Sequence, residues 1–64
     1  MKRRKLLRHL EGHSCAFERE GRGHTLYVNL QNGLKSAIPR HREIDPVMVR
    51  KICKELDVPI PKER

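Results

Sequence analysis

The strongest constraint on the fold is a short alternating segment held between two glycine-containing turns. Its aliphatic side chains, Leu26, Val28 and Leu30, alternate with polar or aromatic ones. Glycines flank the segment within residues 21–23 and 31–33, and glycine allows the positive φ angles that tight hairpin turns often need. The segment is therefore predicted to be the middle strand of a β-meander, with its aliphatic side chains on the core face.

The segments before this strand predict a helix and a first strand. Residues 2–11 are predicted to form an amphipathic helix, because Leu6, Leu7 and Leu10 share one helical face. The basic side chains around that face are interpreted either as a solvated helix surface or as a direct RNA contact. Residues 14–20 alternate weakly and are predicted to form the first strand, which closes a hairpin with the middle strand.

The segments after the middle strand predict a third strand and a second helix. The third strand is predicted over residues 34–38, following the Asn-Gly hairpin signal. Asp45 and Pro46 are typical of an N-cap and a first helical position, and the helix is predicted to end near Leu56 or Asp57. Its apolar stripe consists of Val49, Ile52, Cys53 and Leu56.

The predicted fold is a two-layer α+β domain of order α-β-β-β-α, in which two helices cover one face of a three-stranded antiparallel sheet. This is the order of double-stranded-RNA-binding domains. A single domain is predicted over residues 1–64, with a folded core over 1–57 and a tail over 58–64 that begins before two prolines. A chain of this size has little room for a deep pocket, so an active site would be shallow.

The charge of the chain favours an anionic partner. Lysine and arginine total 15 against 8 acidic residues, which gives a formal net charge of +7. Such a surface is typical of proteins that bind nucleic acid, an acidic protein or an anionic membrane surface. There is no secretory signal pattern and no apolar run near the ~20 residues of a membrane span. Two cysteines make no disulfide framework, so we expect a cytoplasmic protein with reduced thiols.

The turn before the middle strand carries the strongest candidate chemistry. Gly21 and Gly23 bracket Arg22 and are predicted to position the turn, and His24 follows at once. Histidine transfers protons near neutral pH because its usual pKa is about 6.5, and arginine suits phosphate. A proton-transfer group beside a phosphate-binding group indicates chemistry on a polyanion. The competing interpretation is a histidine that is merely structural or exposed.

A metal site is the weaker interpretation of the histidines and cysteines. His9 and His13 have helical i, i+4 spacing and Cys15 follows closely, but Gly12 is predicted to end the helix before His13. The chain has no Cys-x-x-Cys pair and no four-ligand pattern, and Cys53 lies on an apolar stripe. We therefore predict no metal and no cofactor.

The chain resembles the HicA family of toxins, small ribonucleases of type II toxin–antitoxin systems. The resemblance spans nearly the whole chain. It rests on the basic first helix ending in residues 10–12, Arg19, the glycine turn before His24, Tyr27, and residues 37–41 and 49–56. It implies a fold like that of double-stranded-RNA-binding domains, cleavage of messenger RNA by one key histidine, carried here by His24, and a HicB antitoxin that covers the active surface. The family usually has serine or threonine where this chain has Gly23.

Several further residues are predicted to serve this activity. His24 is predicted to be the catalytic proton-transfer group, and Arg19, Arg22 and Arg40 to bind RNA phosphates. Tyr27 lies on the opposite strand face from the aliphatic side chains, where it either stacks an RNA base on the open sheet or packs against a neighbouring strand. His41, in a basic loop, is interpreted as a solvated residue rather than a second catalytic histidine.

Two other functions remain open at this point. A non-catalytic RNA-binding module would have the same charge and fold but would tolerate loss of His24. An inactive toxin homologue would bind the antitoxin without cleaving RNA. This alternative stays open because Gly23 replaces the serine or threonine that is usual in the family. A DNA-binding helix-turn-helix fits less well, because three strands separate the only two predicted helices.

Overall fold

The structure, a computed structural model, describes residues 1–62 and has the predicted order of elements. These are α1 (Arg3–Glu11), β1 (Cys15–Glu20), β2 (His24–Asn29), β3 (Lys35–Pro39) and α2 (Pro46–Leu56). The strands form one antiparallel sheet in the order β1-β2-β3. The α+β fold class is confirmed. Of the predicted tail, residues 63 and 64 lie outside the described residues.

The second helix begins and ends where its sequence signals indicate. The Val47 amide donates to the Asp45 carboxylate at 2.8 Å, so Asp45 is the N-cap and Pro46 occupies the first turn. Asp57 ends the helix in a left-handed conformation with a φ of 58°. The N-cap fixes where the basic connection between β3 and α2 enters the helix.

The core lies between one face of the sheet and both helices. It is filled by aliphatic side chains of the two helices together with residues from the strands and the last connection. Its buried members are Leu6, Leu10, Cys15, Tyr27, Ile38, Ile44, Val49, Ile52, Cys53 and Leu56. Within residues 1–62, none of the helices has the length and apolar character needed to cross a membrane.

The predicted orientation of β2 is wrong. Thr25, Tyr27 and Asn29 are the buried side chains, and they face the helices. Leu26 and Val28 lie on the opposite, open face, where they are partly exposed. Leu30, predicted to face the core, follows the strand and is 70% exposed.

The physical reason is that the polar ends of the buried side chains have partners on the helices. The Tyr27 hydroxyl donates to the Glu11 carboxylate at 3.0 Å. The Asn29 amide donates to the carbonyl of Leu56 at 2.8 Å. With their polar atoms hydrogen-bonded, these side chains can occupy the interior at little cost.

A β-bulge interrupts the pairing of β1 with β2. Phe17 pairs with Tyr27 and Arg19 pairs with Leu26, which leaves Glu18 as an extra residue. The Glu18 carboxylate lies 2.9 Å from the ammonium of Lys35. The bulge therefore brings charged side chains to the open face of the sheet.

Candidate active site

His24 lies at one end of the sheet, as the first residue of the middle strand β2. It pairs with Pro39 and its side chain is exposed. Gly23, directly before it, has a φ of 79°, and a side chain there would meet no atom within 4 Å. The turn therefore needs glycine for its backbone conformation, not for space.

The imidazole of His24 has one polar contact within the described residues. Its Nδ1 lies 3.4 Å from the carbonyl oxygen of Arg22. A carbonyl oxygen only accepts hydrogen bonds, so this contact places the proton on Nδ1. In the neutral imidazole, the Nε2 atom then has a lone pair that can accept a proton from a bound molecule.

Arg40 holds the turn that carries His24. Its Nε donates to the Glu20 carboxylate at 3.1 Å. Its Nη2 donates to the carbonyl oxygen of Gly21 and, at 3.3 Å, to that of His24. The Gly21 amide also donates to the His24 carbonyl at 2.8 Å. Arg40, predicted from the sequence to bind phosphate, thus first serves to position the turn.

A second arginine ties the first helix to the same turn. Arg3 donates from Nε to the Pro39 carbonyl at 2.9 Å and from Nη2 to the Thr25 hydroxyl at 2.8 Å. The Thr25 hydroxyl donates in turn to the Glu20 carboxylate at 2.9 Å. Sequence reasoning missed Arg3, Thr25 and Glu20, because only the folded sheet brings the start of α1 to this strand end.

Arg19 and Arg22 lie at the same end of the sheet as His24. Arg19 pairs with Leu26, whose side chain shares the open face with His24. Arg22 is exposed in the turn itself. Within residues 1–62 neither guanidinium takes part in an ion pair, so both are available to an anionic ligand.

Tyr27 is not part of this exposed site. Its side chain is 4% exposed and its ring meets that of Phe17 edge-on, with centroids 6.5 Å apart. Burial, helped by the hydrogen bond to Glu11, raises the pKa of Tyr27 to about 12. The prediction that Tyr27 stacks an RNA base on the open face is wrong, and the cross-strand packing interpretation is correct.

Of the histidines and cysteines weighed as metal ligands, His9 and His13 lie side by side, with ring centroids 4.7 Å apart. Within residues 1–62, no three His, Cys, Asp or Glu side chains are placed to hold a metal ion together. His9 donates from Nε2 to the Pro59 carbonyl at 2.6 Å. Cys15 and Cys53 are buried, and burial raises the pKa of both thiols, which disfavours the thiolate that binds metals.

A basic pocket of about 430 Å³ opens beside this strand end. Five cationic side chains line it, contributed by the start of α1 and the connection after β3. They are Lys2, Arg3, Arg4, Arg40 and Arg42. The two basic runs are visible in the sequence, but their meeting in one pocket is a property of the fold.

A comparison of the chain with protein families, curated proteins and solved structures gives no match. The chemistry of the site therefore has to be inferred from its own residues: an exposed imidazole, a turn fixed by Arg40, and several nearby guanidinium groups.

Proposed function

We propose that this protein is a messenger-RNA-cleaving endoribonuclease, a toxin of the HicA type, with His24 as its proton-transfer group. The observation that carries the proposal is the exposed imidazole whose Nδ1 contacts the Arg22 carbonyl, on a turn that Arg40 fixes. An imidazole with an accessible Nε2 can act as the general base that RNA cleavage uses. The resemblance of the sequence to HicA toxins supports the same activity.

The reaction uses the nucleophile that RNA itself provides. Nε2 of His24 takes the proton of the 2′-hydroxyl, and the 2′ oxygen forms a bond to the adjacent phosphorus. The bond from phosphorus to the 5′ oxygen breaks, and that oxygen takes a proton from the imidazolium or from water. The products are a 2′,3′-cyclic phosphate and a 5′-hydroxyl. Such general acid–base catalysis contributes about 10²–10⁴-fold, and no step requires a metal ion or cofactor.

Charge on the phosphate rises in the transition state, and nearby guanidinium groups offset it. Arg22 and Arg19 are suited to this role because both lie at the strand end of His24 without ion-pair partners in the described residues. Arg40 contributes through its fixed position beside the turn. Gly21 and Gly23 shape the turn that carries His24.

The protein partner that fits this proposal is a HicB-type antitoxin, in a hetero-oligomeric complex in the cytoplasm. The +7 charge of the chain would steer an acidic partner toward it. Occlusion of His24 in that complex is sufficient to stop cleavage, because the imidazole acts only on RNA that reaches it. Messenger RNA and antitoxin would then compete for the same end of the sheet.

The test is induction of the wild-type chain, His24→Ala and His41→Ala in cells without antitoxin. We expect wild type and His41→Ala to arrest growth and degrade messenger RNA, and His24→Ala to do neither while remaining folded. His41 is a matched control because it is an exposed histidine in the neighbouring connection. Equal arrest by all three chains would instead favour a non-catalytic RNA-binding module.

Purified protein tests the mechanism separately. Cleaved RNA should carry 2′,3′-cyclic phosphate and 5′-hydroxyl ends, and a single 2′-deoxy substitution at the cut site should block cleavage. The rate should be unchanged by a metal chelator. A 5′-phosphate end would contradict the mechanism. A folded chain that binds antitoxin and never cleaves RNA would identify an inactive toxin homologue.

A further inference from the structure

We propose that the basic pocket binds a phosphate of the RNA strand other than the one cleaved at His24. The pocket is lined by five cations, of which Lys2 and Arg40 have carboxylate partners outside the lining, Glu43 at 3.8 Å and Glu20 at 3.0 Å. Clustered cations repel one another, so such a lining is stabilised when an anion occupies it. This inference rests on the proposed RNA substrate and specifies a second contact with it.

Two of the five cations are already fixed in place. Arg3 is held by the Pro39 carbonyl and the Thr25 hydroxyl, and Arg40 by Glu20 and two carbonyl groups of the turn. In both guanidinium groups the Nη1 atom makes no hydrogen bond within residues 1–62. Fixed guanidinium groups with spare N–H donors bind phosphate with less loss of side-chain entropy than free ones do.

The two walls of the pocket are joined through the backbone. The Arg3 amide donates to the Arg42 carbonyl at 2.8 Å, and the Ile44 amide donates to the Met1 carbonyl at 2.7 Å. Lys2 and Glu43 form an isolated β-bridge between the same segments. The pocket is thus a formed part of the fold, although Arg4 and Arg42 reach it with exposed side chains.

The position of the pocket relative to His24 indicates a different phosphate. Arg3 contacts Thr25, the residue after His24, and Pro39, the residue that pairs with His24. Successive side chains of a strand point to opposite faces, so the pocket and the imidazole lie on opposite sides of one sheet end. A single RNA strand that crosses this end contacts both, with one phosphate in the pocket and another beside the imidazole.

The lining favours a nucleic-acid strand over a membrane surface. A membrane-binding patch combines cations with exposed apolar or aromatic side chains that enter the lipid. The pocket is lined by cations alone and is concave. Each linkage of a nucleic-acid strand carries one negative charge on a phosphate. A single phosphate of the strand can enter a concave cationic site, and the site needs no apolar surface beside it.

The test compares the double variant Arg4→Gln/Arg42→Gln with the control Lys51→Gln/Lys54→Gln. Both remove two exposed cations, and the control pair lies on α2, outside the pocket lining. The probe is a single-stranded 2′-O-methyl RNA oligomer, which lacks the nucleophile and is not cleaved. Thermal unfolding of each variant checks that the fold is retained.

We expect the pocket variant to bind the oligomer about tenfold more weakly than wild type and the control to change less than about twofold. The slope of log K against log salt should fall in magnitude by about 0.7 in the pocket variant, since a single strand contributes about 0.7 per phosphate contact and the pocket holds one phosphate. Equal weakening in the two double variants would overturn the proposal, because binding would then follow net charge alone.

Neutral methylphosphonate linkages, placed one at a time along the oligomer, locate the phosphate. For wild type, a methylphosphonate at one linkage should lower the affinity for the oligomer, and the same substitution should leave the affinity of the pocket variant unchanged. That linkage should differ from the cut site mapped on the corresponding RNA. Loss at the cut site itself, or equal loss at every position, would overturn the proposal. So would a pocket variant that loses binding to phosphatidylserine vesicles while keeping its affinity for the oligomer.

The two proposals fail in different ways. If wild type binds the oligomer through the pocket and does not cleave unmodified RNA, the nuclease proposal falls and the phosphate site stands. If wild type cleaves RNA and the pocket variant binds as tightly as wild type, the phosphate site falls and the nuclease proposal stands.

Discussion

The two ends of β2 use the same backbone device and hold it in different ways. Each end adjoins a turn with a glycine at a φ of 79°, Gly23 before the strand and Gly33 after it. A Cβ atom added at either glycine would meet no atom within 4 Å. Glycine is therefore favoured at both positions by the positive φ angle and not by a lack of space. What differs is the chemistry that keeps each turn in place.

At the carboxyl end, neutral amide groups hold the turn. The Asn29 side chain accepts from the Gln31 amide at 2.9 Å and donates to the Leu56 carbonyl at 2.8 Å. Asn32 donates to the same carbonyl at 3.3 Å and accepts from the Leu34 amide at 2.8 Å. These contacts fasten the turn to the end of α2 and leave no charged group in it.

At the amino end, charged groups hold the turn. Arg40 and Glu20 form an exposed ion pair with a separation of 3.0 Å, and Arg3 reaches the same carboxylate through the Thr25 hydroxyl. Exposed charges are screened by salt and respond to bound anions, whereas buried amide contacts are not. One end of the strand is thus held by neutral contacts, and the other by exposed charged groups that salt or a bound anion can affect.

The largest effect is expected at the carboxyl end. Asn29→Ala should lower the free energy of unfolding by about 3 kcal/mol, because it opens a cavity and leaves the buried Leu56 carbonyl short of a donor. Asn32→Ala, at an exposed side chain with the same acceptor, should cost about 1 kcal/mol. Chemical denaturation of both variants measures the difference. Equal losses would show that the buried amide has no special role.

At the amino end, a change should affect activity more than stability. Arg40→Gln should lower the rate of RNA cleavage about tenfold, equivalent to 1.4 kcal/mol, while an exposed ion pair contributes at most about 1 kcal/mol to folding. Arg40→Lys should fail to restore the rate, because lysine lacks the planar fork that spans the contacts of Arg40 with Glu20 and the turn.

Lys35→Gln is the control for Arg40, because it breaks another exposed ion pair, with Glu18, and removes the same charge. We expect that variant to cleave RNA at nearly the wild-type rate. If Arg40→Lys matches wild type, then charge matters and the fixed geometry of the turn does not.

The two glycines give a matched pair of smaller effects. Gly23→Ala and Gly33→Ala should each destabilise the fold by about 1 kcal/mol, because alanine is strained at positive φ. Only Gly23→Ala should also slow RNA cleavage, since it shifts the residue that carries the imidazole. Gly12→Ala is the control, because Gly12 has a φ of −69° and should tolerate alanine. A rate loss in Gly33→Ala would contradict the separation of the two ends.

The middle of β2 should respond least at neutral pH. Tyr27→Phe should lower the free energy of unfolding by only about 0.5 kcal/mol. The loss is small because Glu11, the partner of the phenol, is exposed and can form a hydrogen bond with water instead. The pKa of Tyr27 is raised to about 12 from its usual 10, so the fold favours the protonated phenol. That stabilisation is present below pH 10 and is lost as the pH rises from 10 to 12.

The pH effect is measured as the difference in unfolding free energy between wild type and Tyr27→Phe. The other ionisable groups are the same in both proteins, so their contribution cancels in the difference. Wild type should lose its advantage between pH 10 and 12. A constant difference across that range would show that the phenol is not stabilised in its protonated form.

The sequence contains enough to predict the order of elements and the location of the turns. Helical spacing of leucines, the Asp45-Pro46 cap and the two glycine turns each act over a few residues, so local patterns suffice. The face of β2 was not predictable in the same way. The aliphatic side chains of Leu26 and Val28 favour the core face when the sequence is considered alone. The hydrogen bonds of Tyr27 and Asn29 to the helices decide the orientation, and they exist only in the folded protein.

The site was predictable only in part, for the same reason. His24 and Arg22 follow from the turn and are neighbours in the chain. Arg3 lies 22 residues from Thr25 in sequence and meets it only because α1 packs across the end of the sheet. Distant basic runs likewise meet in one pocket only in the fold, so their shared role is invisible to any local pattern.

The bulge in β1 has a consequence for self-association. β1 and β3 are the outer strands of the sheet, and an outer strand offers unpaired backbone groups to any other chain. The extra Glu18 distorts one edge and surrounds it with charge, while Pro39 ends the other without an amide donor. Deletion of Glu18 would restore a regular edge, and we expect that protein to add strands between copies and to aggregate at high concentration.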